Sequence, residues 1–288
     1  MKKLKQFIRN HIPDSIYLKR RFMHYMGRPL DLANPRTFNE KLQWLKLYNR
    51  NPLYTTLVDK VAAKKWATEK LGEQYIIKTL GVWPRFDDID FNKLPNQFVL
   101  KCNHDSGSYV ICKDKKKLDL AQAKAKLDGG LKRNFYYKFR EWPYKNVPPR
   151  IIAEEYMADK NGVLVDYKFA CFHGQVDNVM VCLDRHINDV KFYFFDRDWN
   201  LKRLNVRGKN APEGFTIPKP PCIDEMFDIA TKLSEGIPFV RVDLFECDGK
   251  IYFGEMTFFP DSGFDANLLP ETDLYFGQMI DLDKVARR

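Results

Sequence analysis

Residues 239–263 (FVRVDLFECDGKIYFGEMTFFPDSG) constrain the fold most, because they place acidic side chains within an otherwise apolar hairpin. Two runs, 239–245 and 251–259, are rich in β-branched and aromatic residues, which predicts two β-strands. The Asp248-Gly249 pair between them is typical of a tight hairpin turn. The segment therefore predicts an antiparallel sheet that carries carboxylates on its strands.

The register of this hairpin decides whether its two acidic residues meet. With a regular two-residue turn, Asp243 lies opposite Gly254 and faces away from Glu255, because a shift of one residue moves a side chain to the other face of a sheet. An odd-length loop, or one bulge near residues 247–250, would place Asp243 directly across from Glu255. The spacing of the two acidic residues leaves both registers open.

In the second register the acidic pair forms a candidate metal site, with Thr257 on the same face and Arg241 beside it. Carboxylate and hydroxyl oxygens suit Mg²⁺, which takes its remaining ligands from water and substrate phosphates. Two such carboxylates repel each other, so we expect Asp243→Asn to leave the fold intact or to stabilise it. The alternative is a solvated strand face in which Asp243 and Glu255 pair with Arg241 or nearby lysines.

The composition indicates a folded protein. The chain has 288 residues, of which 44% are hydrophobic, and can bury the core of one elaborate domain or of two to three small lobes. No run approaches the roughly 20 apolar residues of a membrane span, and the first residues lack the pattern of a secretory signal. We therefore expect a cytoplasmic protein. Its six cysteines contain no CxxC pair and predict buried, reduced thiols rather than a zinc site.

The net charge of +10 raises the question of an anionic partner. The basic run at 113–117 and Lys132-Arg133 would form a nucleic-acid surface, but no helix-turn-helix, zinc-finger or RNP-like pattern accompanies them. We therefore expect no nucleic-acid partner and favour an anionic small molecule, polymer or membrane. The basic and aromatic residues of 1–30 predict peripheral contact with the inner face of an anionic membrane, with a solvated helix packed on its own domain as the alternative.

Three further patterns supply candidate nucleotide contacts. The strand-like FVLK ends in Lys101 before the polar loop CNHDSGS. A lysine in this position is typical of a triphosphate site, because its ammonium meets phosphate oxygens while small side chains let the loop backbone approach. RIIAEEYM is an apolar strand that becomes acidic, and DYKFACF places Asp166 and Lys168 on one strand face. Each pattern alone is equally typical of an ordinary hairpin or a solvated strand end.

Longer motifs resemble one family. They are NPRTFNEKLQWL, DK followed by a helix to LGE, FVLKCNHDSG, DYKFACFHG, and the RVD and EMT of the hairpin. Over residues 34–278 they resemble the TupA-like ATP-grasp family of surface-polysaccharide loci. The resemblance implies an α+β fold of the ATP-grasp type, in which two α+β lobes hold ATP between antiparallel sheets. We expect an N-terminal helical region at 1–93, a small lobe at 94–156, and a C-terminal lobe with the metal hairpin at 157–288.

The resemblance implies ATP and Mg²⁺ as cofactors and assigns three sets of site residues. The nucleotide-binding set would be Lys101, Ser106, Gly107, Ser108, Glu154, Tyr156, Met157, Asp166 and Lys168. The catalytic cations would be Lys168, Arg185 and Arg241. The metal ligands would be Asp243, Glu255 and Thr257, where Thr257 replaces the asparagine of the family pattern.

Individual roles follow from the same resemblance. Lys101 would contact the phosphates beneath a flexible lid at 106–108. Glu154 and the backbone at 156–157 would bind adenine, and Asp166 would bind the ribose. We expect neither Lys101 nor Lys168 to belong to the core.

The function that the resemblance implies is an ATP-dependent carboxylate-amine ligase. A substrate carboxylate is phosphorylated, an amine attacks the acyl phosphate, and an amide, ADP and phosphate result. The expected acceptor is a uronic acid of a capsule, O-antigen or teichuronopeptide-type saccharide, and the expected amine is a small amino acid or amino alcohol. A glycosyltransferase of the same pathway and a non-catalytic nucleotide-binding module are the alternatives.

The loop-rich segment 192–221 carries a separate set of substrate predictions. Its basic and aromatic composition predicts sugar contacts, with Trp199 stacked on a ring and with Arg203 and Arg207 on a uronate. The same segment contains the sequence DRD at 196–198, which is the candidate D-x-D motif for the glycosyltransferase alternative.

Overall fold

The computed structural model describes residues 11–158, 164–183 and 190–287. Its helices are α1 (Asp14–Met26), α2 (Phe38–Tyr48), α3 (Leu53–Val58), α4 (Lys60–Leu71), α5 (Leu120–Leu131), α6 (Tyr136–Phe139), α7 (Val206–Lys209), α8 (Ile223–Ser234) and α9 (Pro270–Met279). None of the helices within these segments is both long and apolar enough to cross a membrane. The strands form two antiparallel sheets, so the architecture is α+β as predicted.

The smaller sheet has four strands in the order β1-β4-β2-β3. They are β1 (Thr79–Trp83), β2 (Phe98–Cys102), β3 (Tyr109–Cys112) and β4 (Ile151–Glu155). Buried and half-buried residues alternate along β2, and its buried face packs on Ala123 and Leu127 of α5. Because β1 pairs with β4, this sheet begins earlier in the chain than the predicted lobe boundary at residue 94.

The larger sheet has six strands in the order β10-β9-β5-β6-β7-β8. They are β5 (Val165–Phe172), β6 (Gln175–Leu183), β7 (Lys191–Phe195), β8 (Leu201–Lys202), β9 (Phe239–Cys247) and β10 (Lys250–Thr257). Helix α8 covers it with a buried stripe that includes Met226, Phe227 and Ala230. The other face of β5 and β9 carries the charged residues of the hairpin prediction.

Helices α2, α3 and α4 belong to the core of the larger sheet, whereas Leu18 and Phe22 of α1 form a smaller cluster with Leu30 and Phe264. Helix α2 begins at a capping box, in which Thr37 and Glu40 bond each other's backbone N–H groups. From this helix, Phe38 packs against Phe239 at 4.7 Å and Phe276 at 5.5 Å between ring centroids. Helix α2 of the predicted helical region therefore packs on the larger sheet and on α9.

Candidate active site

A cavity of about 660 Å³ is lined by residues of both sheets. The predicted site residues that line it are Lys101, Ser106, Gly107, Ser108, Glu154, Tyr156, Met157, Asp166, Lys168, Arg241, Asp243 and Glu255. Thr257 is not part of the lining, and Arg185 lies outside the described residues. Residues from four distant stretches of the chain thus meet in one cavity.

The hairpin between β9 and β10 has the two-residue turn that its sequence predicts. Asp248 and Gly249 both have positive φ, at 50° and 78°, and Lys250 pairs with Cys247 across the turn. With this turn alone, the two acidic residues of the hairpin would face opposite sides of the sheet.

A bulge at Gly254 changes that register. Phe253 pairs with Leu244, but the next pair is Glu255 with Asp243, so one residue of β10 is left over. The acidic residues are therefore directly opposed, as the metal-site prediction requires. The bulge lies within β10 and not near residues 247–250, where the sequence placed it.

Asp243 is bound by two cations. It is 1% exposed, and it accepts hydrogen bonds from Arg241 Nε and Nη2, both at 2.7 Å, and from Lys168 Nζ. Burial acts to raise the pKa of Asp243, but Arg241 and Lys168 outweigh burial and hold this pKa below its ordinary value. Lys168 also lies 2.7 Å from Asp166 Oδ2 and is buried, contrary to the expectation that it would not belong to the core.

Glu255 is more open than Asp243. Its side chain is 45% exposed, and its carboxylate oxygens lie 3.9 Å from Arg241 Nη2 and 3.9 Å from Lys60 Nζ. Thr257 Oγ1 accepts a hydrogen bond from Arg241 Nη2 at 3.2 Å, so this hydroxyl is engaged by a cation. Glu255 and Asp243 thus provide two hard oxygen donors side by side.

This donor set fits Mg²⁺ bound together with a nucleotide. Across the described residues, no group of three or more His, Cys, Asp or Glu side chains converges tightly enough to hold a metal by itself. Mg²⁺ commonly uses one or two carboxylates and completes its shell with water and phosphate oxygens. The opposed pair of Asp243 and Glu255 matches that requirement.

Lys101 is positioned by a buried carboxylate. Glu154 Oε2 contacts Lys101 Nζ, and Glu154 Oε1 lies 2.8 Å from Lys64 Nζ. Burial disfavours the ionised form of Glu154, but the two lysines outweigh burial and lower its pKa to about 2. The resemblance assigns Glu154 to adenine, whereas here its carboxylate holds the lysine that faces the cavity.

Replacing Glu154 by Gln is expected to remove an acid-sensitive contribution of about 3 kcal/mol to the free energy of unfolding. The ordinary pKa is 4.5 and the folded-state pKa is about 2, so the contribution is complete above pH 4.5 and lost as the pH falls to 2. Denaturant titrations should show a stability difference between wild type and variant that shrinks over this range. A difference independent of pH would contradict the assignment, and Glu155→Gln, with a side chain 43% exposed, is the control.

The loop after β2 has an exposed tip and a fixed base. Ser106 and Gly107 are exposed, and Gly107 has a φ of 95°. Ser108 is 2% exposed, donates its hydroxyl hydrogen to Asp105 and accepts from Arg133, so its side chain supports the loop from inside and does not cover the cavity as predicted. The geometry of this loop therefore supports the lid prediction only for its exposed tip, Ser106 and Gly107.

Most of the chain matches the model of one protein family. A family model described as TupA-like ATPgrasp matches residues 40–281. The chain belongs to the TupA-like ATP-grasp family. The resemblance found in the sequence is thereby confirmed, and so is the ATP-grasp fold that it implied.

Several solved structures of ligases are similar to this TupA-like ATP-grasp protein. A D-alanine–D-alanine ligase from Bacillus anthracis is 15% identical, with a TM-score of 0.45 over 87% of this chain and 69% of that chain. The corresponding enzyme from Helicobacter pylori is 16% identical, with a TM-score of 0.44 over 85% and 69%. An L-amino acid ligase from Bacillus licheniformis is 13% identical, with a TM-score of 0.46 over 88% and 57%. No curated protein matches the chain.

Lys60 also lines the cavity, although the sequence analysis gave this residue no role. It stands at the first position of α4, which Asp59 caps by accepting from the Val61 N–H. Its ammonium donates to the carbonyl oxygen of Asp105 at 2.7 Å and approaches Glu255. The DK motif was visible in the sequence, but only the packing of α4 against the larger sheet brings it to the cavity.

The sequence analysis also did not predict apolar residues of the cavity lining, which include Ile77, Val99, Leu164, Met180, Phe192 and Phe245.

Two residues of the predicted sugar contacts in 192–221 are bound within their own loop. Trp199 is 8% exposed, stacks on Phe195 at 4.6 Å and donates its indole N–H to the Ile217 carbonyl oxygen. Arg203 donates to backbone carbonyl oxygens of its own loop, including that of Gly208 at 2.7 Å. Trp199 is a buried donor paired with a local carbonyl, so its predicted stacking on a sugar ring is wrong. Arg203 is exposed, and its contact with a uronate stays a prediction.

The DRD sequence also lies away from the cavity. Asp196 accepts from the backbone and side-chain N–H groups of Asn200, and Arg197 pairs with Asp228 at 2.6 Å. This is a surface turn after β7, and none of its residues lines the cavity. The candidate D-x-D motif therefore lies outside this cavity.

Helix α1 lies within residues 1–30, the segment for which the sequence predicts contact with a membrane. Lys19 and Arg20 are exposed beside Ile16 and Met23, which are 46% and 48% exposed. Arg21 instead lies over the Tyr25 ring at 4.8 Å. Residues 1–10, which carry the other basic residues of this expectation, lie outside the described residues. Membrane contact stays a prediction, which co-sedimentation with anionic and neutral vesicles tests.

Proposed function

We propose that this protein is an ATP- and Mg²⁺-dependent carboxylate-amine ligase. The observation that carries the proposal is one cavity whose described lining includes five basic residues and an opposed pair of carboxylates: Lys60, Lys101, Lys113, Lys168, Arg241, Asp243 and Glu255. Cations in such a cavity stabilise the charge of transferring phosphoryl groups, which is the main catalytic effect in this chemistry. Membership of the ATP-grasp family supports the same reading.

Each cation would have a distinct part. When bound, ATP supplies the phosphoryl group and Mg²⁺ neutralises phosphate charge between Asp243 and Glu255. Lys101, fixed by Glu154, meets the phosphates from the smaller sheet. Lys168 and Arg241 meet the phosphoryl group and the acyl phosphate of the substrate from the larger sheet, where each is already oriented by Asp243.

The reaction needs no covalent intermediate on the protein. Cys102 is the cysteine among the described cavity-lining residues, and burial raises the pKa of its thiol to about 12. A thiol with this pKa stays protonated at neutral pH and is a poor nucleophile. In the proposed reaction the carboxylate substrate is activated directly as its acyl phosphate, the amine attacks the acyl carbon, and phosphate leaves.

The substrate class follows from charge and from the family. A uronic acid of a capsule, O-antigen or teichuronopeptide-type saccharide would bring one carboxylate to a cavity rich in cations, and the chain as a whole carries a net charge of +10. A small amino acid or amino alcohol would supply the amine. Dependence on ATP implies a cytoplasmic reaction.

Incubation with ATP, Mg²⁺, a glucuronate-bearing saccharide and a panel of small amines tests the function. We expect ADP release that requires both the saccharide and Mg²⁺, and a product with the mass of an amide. Chelation of Mg²⁺ by EDTA should stop both. Transfer of sugar from a nucleotide sugar with no ATP present would contradict the ligase function and support the glycosyltransferase.

A further inference from the structure

The loop after β10 has an unusual backbone. Asp261, Ser262 and Gly263 follow one another with φ values of 45°, 54° and 63°. Residues with side chains rarely adopt this left-handed conformation, and surrounding structure must hold them there. Asp261 is exposed and lines the cavity.

Buried polar groups hold this loop from behind. Gln43 donates its amide to the carbonyl oxygen of Ser262 at 3.2 Å, and Lys46 donates its ammonium to the same oxygen at 2.7 Å. The Ser262 hydroxyl donates to Glu141, which is 4% exposed, while Gln43 and Lys46 are 0% and 1% exposed. A Cβ added to Gly263, whose φ is 63°, would lie 2.4 Å from Gln43 Nε2 and would displace this buried amide. The loop therefore presents Asp261 to the cavity in a fixed position.

Asp261 differs from the other carboxylates of the cavity in its charge environment. Seven carboxylate residues of the described chain line the cavity. Six have a basic nitrogen within 4.0 Å: Asp105, Glu154, Glu155, Asp166, Asp243 and Glu255. Asp261 has no such neighbour among the described residues. Within the described part of the chain, Asp261 is thus the cavity carboxylate whose charge no basic side chain balances.

We propose that Asp261 binds the ammonium group of the amine substrate, an inference that rests on the proposed ligase function. Primary amines are protonated at neutral pH, and a carboxylate binds an ammonium through charge-assisted hydrogen bonds. The phosphates and the acceptor carboxylate are anions, so they repel Asp261 and are matched by Lys101, Lys168 and Arg241. Asp261 lies four residues after the end of β10, the strand that carries Glu255, and both residues line the same cavity. The substrate class is therefore a cationic primary amine.

Two amines of different charge test the proposal: ethanolamine, which is cationic at neutral pH, and hydroxylamine, which is uncharged. With ATP, Mg²⁺ and the glucuronate-bearing saccharide, the Asp261→Asn variant should show a KM for ethanolamine that is about 10- to 100-fold higher, because a hydrogen bond between charged groups is lost. The KM for hydroxylamine in hydroxamate formation should not rise. Asn tolerates the left-handed backbone, and Asp261→Gly removes its strain, so the two variants should agree.

The outcomes separate this proposal from the function on which it rests. An unchanged KM for ethanolamine, or an equal rise for both amines, would overturn the role of Asp261 while leaving the ligase function in place. Failure of the wild-type protein to form either hydroxamate or amide would overturn both. Glu155→Gln changes a cavity carboxylate that already has Lys78 as its partner, and it should leave the ratio of the two KM values at the wild-type level.

Discussion

Replacing Asp243 by Asn is expected to abolish ADP release and to lower the free energy of unfolding by about 3 kcal/mol. Asp243 is the shared anion of Lys168 and Arg241, so its loss leaves two buried cations without their main partner. The sequence predicted an intact or more stable fold, because it considered the repulsion between Asp243 and Glu255 and did not show that Lys168 and Arg241 are buried against Asp243. A coupled assay for ADP and a denaturant titration measure the two effects.

A matched control separates lost chemistry from lost stability. Asp177, on β6, accepts hydrogen bonds from Lys202 at 2.7 and 2.8 Å, has a side chain 7% exposed, and lies outside the cavity lining. Asp177→Asn should therefore cost stability in the same direction but keep ADP release, when both variants are assayed at a temperature at which they stay folded. Full turnover by Asp243→Asn would show that the hairpin is a structural feature and would refute the metal assignment.

Replacing Gly254 by Ala is expected to lower ADP release by about 100-fold, the effect of misplacing a reacting group by about 1 Å. A Cβ at this position would lie 2.8 Å from the carbonyl oxygen of Asp243 and 2.9 Å from the Phe245 ring. The backbone of Asp243 is less flexible than the end of a side chain. The close contact with the added Cβ is therefore relieved only if Asp243 moves or the bulge is lost. Loss of the bulge would turn Glu255 to the opposite face of the sheet.

Displacement of the opposed carboxylates should weaken Mg²⁺ binding in Gly254→Ala. We therefore expect the variant to need a higher concentration of Mg²⁺ for half-maximal ADP release, which is the measurement to make. Gly129, on α5, is the matched control because a Cβ there meets nothing within 4 Å. Gly129→Ala should keep the Mg²⁺ dependence and stabilise the fold by up to about 1 kcal/mol. Normal turnover by Gly254→Ala would show that the opposed carboxylates are not required.

The sequence by itself determined the local parts of the site. The Asp248-Gly249 turn and the β-branched strands around it predict the hairpin, and strand periodicity places Asp166 and Lys168 on one face of β5. Lys101 at the end of β2 was recognised in the same way. These features depend on neighbours a few residues away, because turn geometry and side-chain alternation are properties of short stretches of backbone. The family resemblance then related the separate stretches to one fold.

Only the tertiary structure decided how these parts are completed. The bulge was placed at Gly254, where the Asp243 carbonyl and the Phe245 ring leave no room for a side chain. Because α4 packs on the larger sheet, Lys60 reaches the cavity and Lys64 reaches Glu154. Trp199 is buried because its own loop folds over it. Asp261 is exposed because Gln43 and Lys46, more than two hundred residues earlier, bind the loop behind it. Such contacts depend on the packing of distant segments, and the spacing of residues along the chain carries no record of them.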